Sequence, residues 1–172
     1  MTMSETVVSA INDQIHAELS ASYSYLAMSA SCDRSNFAGA ARWLRVQSRE
    51  EYGHAMRLLD FMLARHCKVT LKELSQPRTE FASLLDVFET AYKQEQAVSG
   101  QIEELYELAF HAKAYPAVVQ LEWFLTEQVE EEKTCREIVS KLKMVGDDSA
   151  ALLEIDRELG ARTAAAEAES EE

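Results

Sequence analysis

Glu51 and His54 stand one helical turn apart, and a helix through them carries a carboxylate and an imidazole on one side. With Glu18 upstream they make a trio, and the trio recurs at a constant offset as Glu95, Gln128 and Glu131. Gln replaces Glu and Glu replaces His in the second copy. The repetition describes a site of approximate twofold symmetry for two metal ions, one served mainly by each half. Four carboxylates and one imidazole without a thiolate form an oxygen-rich donor set, which suits iron or manganese better than a structural zinc. With no cofactor motif elsewhere, iron is the expected ion.

The elements that must position these residues are long helices. The chain has 172 residues, 47% hydrophobic, with only 5 Gly and 2 Pro, so it is rarely interrupted. The fold expected is all-α: a four-helix bundle with a long crossover between helices two and three, plus a short fifth helix. Helix one runs from near Ser4 to Cys32-Asp33. Asn36 is placed to cap a second helix from Phe37 to about Ala64, and 65–80, with Pro77, reads as a connection. A third helix spans about Phe81 to Phe110. A fourth opens at Pro116 and stops at Gly146; Asp147 or Asp148 caps a fifth that ends at Gly160. Residues 1–160 make one domain, and 161–172 read as a flexible acidic tail. The short links make the first and second helices antiparallel, and likewise the third and fourth, while the long connection allows the second and third to run parallel.

Each helix carries an apolar stripe with steps of three and four residues. In the first it reads Val8, Ile11, Ile15, Glu18, Ser22, Tyr25; in the second, Leu44, Ser48, Glu51, Ala55, Leu58. Phe88, Ala91, Glu95, Val98 and Leu121, Phe124, Gln128, Glu131, Cys135 continue the pattern. Every stripe is interrupted near its helix's midpoint, and midpoints of bundled rods of equal length share one level. The six polar residues should therefore meet. Buried together, unneutralised carboxylates repel and cost several kcal/mol each, roughly, whereas two divalent cations cancel four negative charges.

The E-x-x-H of Glu51-Tyr52-Gly53-His54, with Glu18, Tyr25, Glu95 and the run Glu127-Gln128-x-Glu130-Glu131, resembles the non-haem bacterial ferritins over roughly 5–160. This ligand pattern is already known from ferritin-like di-iron bundles. The resemblance implies a cage of twenty-four subunits that stores ferric oxide after a ferroxidase step with O2 or H2O2. It implies one iron on Glu18, Glu51 and His54 and a second on Glu51, Glu95 and Glu131, with Glu51 bridging and Gln128 beside them. Glu50, Glu127 and Glu130 match a third iron site that shares Glu131. Tyr25 would donate an electron or hydrogen-bond a ligand, and the fifth helix would pack at the fourfold axes. Bacterioferritin differs: it has a second E-x-x-H in helix four and a haem methionine where Tyr52 stands, so no haem is expected. Animal ferritins carry acids of the threefold channel where this chain has Val118 and Leu121, and nucleation acids where it has Gly53 and Met56.

Acidic residues outnumber basic ones by 30 to 17, for a net charge of −13, which repels polyanions and attracts cations. Nucleic acid is therefore not an expected partner. Three dispersed cysteines suggest a reducing compartment, and the start of the chain lacks the pattern of a signal peptide. With no membrane-length apolar run, a soluble cytoplasmic protein is expected. His16, His66 and His111 lack partners at ligand spacing and read as surface residues. Two other functions fit less of the pattern: a rubrerythrin-type di-iron oxidase or peroxidase, and an acidic helical interaction module without metal.

Overall fold

The computed structural model describes the backbone of residues 3–170 and the side chains of 3–161. Five helices follow one another: α1 Glu5–Arg34, α2 Ala38–Ala64, α3 Leu84–His111, α4 Tyr115–Val145 and α5 Ser149–Ser170. No strand occurs among the described residues, and no described helix is long and apolar enough to cross a membrane.

The helix ends explain where sequence reading slipped. Asn36 does not cap α2; it closes α1. Its φ of 64° is left-handed, the Phe37 amide reaches back to the Cys32 carbonyl at 2.9 Å, and its own amide donates to Asp33 at 3.0 Å. This is the Schellman arrangement, built without glycine. His66 (φ 55°) ends α2 and Lys113 (φ 54°) ends α3 in the same way. The start of α2 is capped instead from the far end of the chain: Asp156 in α5 accepts from the Gly39 amide at 3.1 Å and the Ala40 amide at 2.8 Å. Helix α3 begins at Leu84 rather than near Phe81, because Ser83 caps it by accepting from the Asp86 amide at 3.1 Å. Asp148 caps α5, accepting from Ala151 at 2.9 Å. That helix continues past Gly160, where the sequence expected an end; the side chains of the expected tail, beyond Ala161, lie outside the described residues.

The connection 65–83 runs along α1. At its start, Asn12 holds it twice, donating to the Lys68 carbonyl at 3.0 Å and accepting from the Thr70 amide at 2.7 Å. Near its end, Arg34 at the other tip of α1 pairs with Glu80 at 2.9 Å. The chain thus returns to the end of the bundle from which α2 set out, and α2 and α3 run parallel. Inside α1 and α2, Ser22 and Ser48 exchange hydroxyl-to-carbonyl hydrogen bonds of 2.6 and 2.7 Å. So close a crossing needs small side chains at both positions.

The core is split in two. One apolar cluster, around Met28, Leu44, Phe88 and Leu142, fills the end where α5 docks through Ile155 and Leu159. The other, around Ile11, Ile15, Leu58, Ile102 and Leu121, fills the opposite end. A one-residue difference appears at the start of α1, where Val7 rather than Val8 is fully buried.

Candidate metal centre

Between the two apolar clusters lies the polar level that the interrupted stripes predict. Glu18, Glu51 and Glu95 are wholly inaccessible to solvent, and His54, Gln128 and Glu131 are buried as well. Each long helix delivers its residues through the 3.6-residue repeat that buries its apolar stripe, so the packing that forms the core also forces the acids inward.

Within this belt, Glu18, Glu51 and His54 bring ligand atoms within 4.8 Å of one another. His54 Nδ1 lies 3.2 Å from Glu51 Oε2, and its ring is held edge-on by Trp123 and Phe124, with centroids 5.2 and 5.9 Å away. Arg57 in turn covers the Trp123 face at 4.2 Å. Glu18 Oε1 accepts from the Gln14 amide at 2.8 Å. The remaining oxygens, Glu18 Oε2 and Glu51 Oε1, are buried without any hydrogen-bond partner. Unpartnered buried carboxylate oxygens are costly, and oxygens beside an imidazole are the donors a divalent cation of borderline hardness takes up. The residues present fit a metal ion.

Glu95 differs in being satisfied by protein. Tyr25 Oη donates to Glu95 Oε1, and Gln128 Nε2 donates to Glu95 Oε2 at 3.2 Å and to its carbonyl at 3.3 Å. Tyr25 is therefore a hydrogen-bond partner of a candidate ligand. The Cys135 thiol lies 3.9 Å from the same phenol oxygen. Gln47 Nε2 links Glu50 Oε2 at 2.5 Å with Glu131 Oε2 at 3.4 Å, joining the inner acids to the outer ones. Of those outer acids Glu127 is half-buried, Glu50 and Glu130 are exposed, and Glu130 turns to Lys133 at 3.6 Å.

Burial sets the electrostatics. It raises the carboxyl groups of Glu18 and Glu51 well above their ordinary range, with the charge of Glu51 adding to the first and that of Glu95 to the second. Glu95 is raised by burial but drawn back by the hydrogen bonds from Tyr25 and Gln128. Glu131 is pushed up to about 8, by burial first and then by Glu95, Glu50 and Glu127. A carboxyl raised on folding contributes stability while protonated, below its ordinary 4.5, and loses that contribution as pH climbs through about 8. The metal-free protein should consequently melt at a lower temperature at about pH 8.5 than at about pH 6. A divalent cation should restore the difference, and Glu131→Gln should flatten the slope; scanning calorimetry across that range measures it.

The family model for the ferritin-like domain matches residues 8–145. The chain belongs to the ferritin family. It is 36% identical to a bacterial non-heme ferritin of Staphylococcus aureus over 161 residues, covering 94% of this chain and 97% of that one. A probable bacterial non-heme ferritin-like protein of Haemophilus influenzae is 37% identical over 158 residues, with coverages of 92% and 96%. Among solved structures, an open pore ferritin from the archaeon Archaeoglobus fulgidus superposes with a TM-score of 0.91 at 40% identity, over 92% of this chain and 98% of that one.

Against this ferritin background, five positions singled out in the sequence take definite places. Val118 and Leu121, which replace channel acids of animal ferritins, are packed in the core of the subunit. Gly53 is exposed and Met56 half-buried, and Tyr52, at the position of the bacterioferritin haem methionine, is 53% exposed. Of the three histidines read as surface residues, His66 and His111 are exposed, whereas His16 is half-buried with its Nδ1 enclosed and unpartnered. Sequence reading missed Gln14 and Gln47, the two amides that hold the acid belt from outside it. Gln14 precedes Glu18 by one turn on the same face, a spacing that could have flagged it.

Proposed function

We propose that this chain is an iron-storage ferritin that binds two ferrous ions as substrate within the subunit, oxidises them, and stores the ferric product in a cage of twenty-four copies. The observation that carries the reading is the pair of buried, unpartnered oxygens, Glu18 Oε2 and Glu51 Oε1, beside His54. The names of its relatives, bacterial non-heme ferritins, support the same reading.

One ferrous ion takes Glu18, Glu51 and His54; the second takes Glu51, Glu95 and Glu131, with Gln128 orienting Glu95. Glu51 lies between them and bridges. The first position fills first, because Glu18 and Glu51 each keep one buried oxygen without a protein donor, whereas both oxygens of Glu95 accept from Tyr25 and Gln128. Each ferrous ion gives up one electron. Dioxygen takes two electrons and two protons and leaves as H2O2, or peroxide takes two electrons and two protons and leaves as two waters. The ferric product hydrolyses, releases protons and moves on. Tyr25 holds Glu95 by its phenol proton and so positions a ligand of the second ion; in place of one ferrous ion's electron it could supply one itself, when a single ion is bound, leaving a tyrosyl radical. Glu50, Glu127 and Glu130 serve a third iron beside Glu131, for which Glu130 must release Lys133. No haem takes part.

Anaerobic titration with Fe2+ tests the reading: saturable uptake of two ions per subunit is expected, with a third at higher concentration. Because Glu18, Glu51 and Glu131 hold protons in the metal-free state, uptake should release protons, and affinity should fall as pH is lowered below about 8. Absence of saturable uptake would favour an acidic helical module without metal. Sedimentation distinguishes a twenty-four-subunit cage from a small di-iron oxidase of the rubrerythrin type.

A further inference from the structure

We propose that Gln14 is a gate through which a divalent cation reaches the Glu18 side of the metal centre directly from the trench between α1 and α3. The inference rests on the metal-binding reading above and adds to it a route and a residue.

Gln14 is a wall with two faces. Inward, its Nε2 donates to Glu18 Oε1 at 2.8 Å, and the residue is only 3% exposed. Outward, it lines a cavity of about 240 Å³ between α1 and α3, together with Asp13, Gln101 and Glu104. A second hollow of about 480 Å³ shares Asp13 and Gln101 with the first, so the two run together along one face of the subunit. A single side chain thus touches both this polar hollow and a carboxylate whose other oxygen, Oε2, is buried without a partner.

The chemistry of the trench suits a cation. Asp13 is engaged by Lys72 of the connection, which leaves Glu104 as the charge that draws an ion in. A neutral amide at the wall neither repels the ion nor traps it. When the Gln14 side chain swings aside, it frees Glu18 Oε1 and opens the gap its own amide had filled; its carbonyl oxygen can accompany the ion inward. The positions where animal ferritins carry channel acids offer nothing comparable, since Val118 and Leu121 are enclosed in the core.

Anaerobic stopped-flow binding of Co2+ to the assembled protein, followed by its visible absorption, tests the gate. Gln14→Ala should raise the association and dissociation rates together, each by about tenfold, and leave affinity within about twofold, because a gate alters the path and not its ends. Gln14→Leu, of similar size but unable to hold Glu18, should slow both rates. Glu104→Lys should slow association by about tenfold at low salt, an effect that high salt removes. Unchanged rates in all three variants, or weaker affinity with unchanged association in both Gln14 variants, would overturn the gate. If the unaltered protein bound no Co2+ at all, the metal-binding reading itself would fall.

Discussion

Replacing Glu51 with glutamine should have two effects of opposite sign: rapid iron oxidation lost, and the metal-free protein made more stable. Glu51 is the acid that Glu95, Glu131 and Glu50 all press upon, fully buried and with one oxygen lacking any partner. Glutamine keeps the shape and can never ionise, so the repulsion that burdens the empty site as pH rises through about 8 and the belt sheds its protons is relieved. The same change deletes the oxygen donor proposed to touch both irons. Loss of groups that merely orient a ligand lowers affinity or activity about 10–100-fold, so loss of a bridging ligand should cost at least about 100-fold in the initial oxidation rate. Stopped-flow oxidation and calorimetry of metal-free protein read the two effects separately. Glu18→Ala and His54→Ala should likewise abolish fast oxidation while leaving assembly intact. Retained fast oxidation in Glu51→Gln would remove the assignment; a lowered melting temperature of the metal-free variant would show that repulsion is not what burdens the belt.

The second large effect concerns α5. A methyl group at Gly39 would lie 1.8 Å from the Asp156 carbonyl oxygen and 3.1 Å from the Gly160 amide nitrogen, both backbone atoms that cannot move aside alone. Gly39→Ala should therefore lift α5 off the bundle. That breaks the cap that Asp156 places on α2 and exposes Ile155 and Leu159. Overpacking costs about 1–3 kcal/mol, and loss of a cap about 1 kcal/mol more. A lower melting temperature and faster proteolysis within 149–170 are the expected readouts. Iron binding should survive, since none of the proposed ligands is on α5. Gly53→Ala makes the control: nothing lies within 4 Å of a methyl group there, and the variant should gain up to about 1 kcal/mol from helix propensity. Equal stability of the two variants would contradict the close contact.

Much of this architecture was legible in the sequence because periodicity is a local property that survives into the fold. Glu18, Glu51, Glu95, Gln128 and Glu131 were found by their place in the apolar stripes, and all are buried where the stripes put them. What stayed hidden depends on distant partners. Asn36 looked like a cap for α2 because Asn suits that position, but it also tolerates the left-handed conformation that closes α1. The actual cap, Asp156, lies more than a hundred residues further on, and no local pattern announces it. The ends of α2 and α3, expected at about Ala64 and Phe110, fall within one residue of that, although residues other than glycine, His66 and Lys113, hold the left-handed turns that close them. Glu50, Glu127 and Glu130 are acids that read alike whether they face solvent or a metal; the link from Glu50 through Gln47 to Glu131 appears only once α2 and α4 meet.

The Ser22–Ser48 exchange welds α1 to α2 close to the centre of the molecule, and Glu18, Glu51 and His54 all belong to that welded pair. Glu95 and Glu131 ride on the other pair. Any breathing of one half-bundle against the other would therefore stretch the gap between Glu51 and the Glu95–Glu131 pair while sparing the Glu18, Glu51 and His54 cluster. The separation of the two proposed ion positions is then the soft coordinate of the centre, while the cradle of Glu18, Glu51 and His54 keeps its shape.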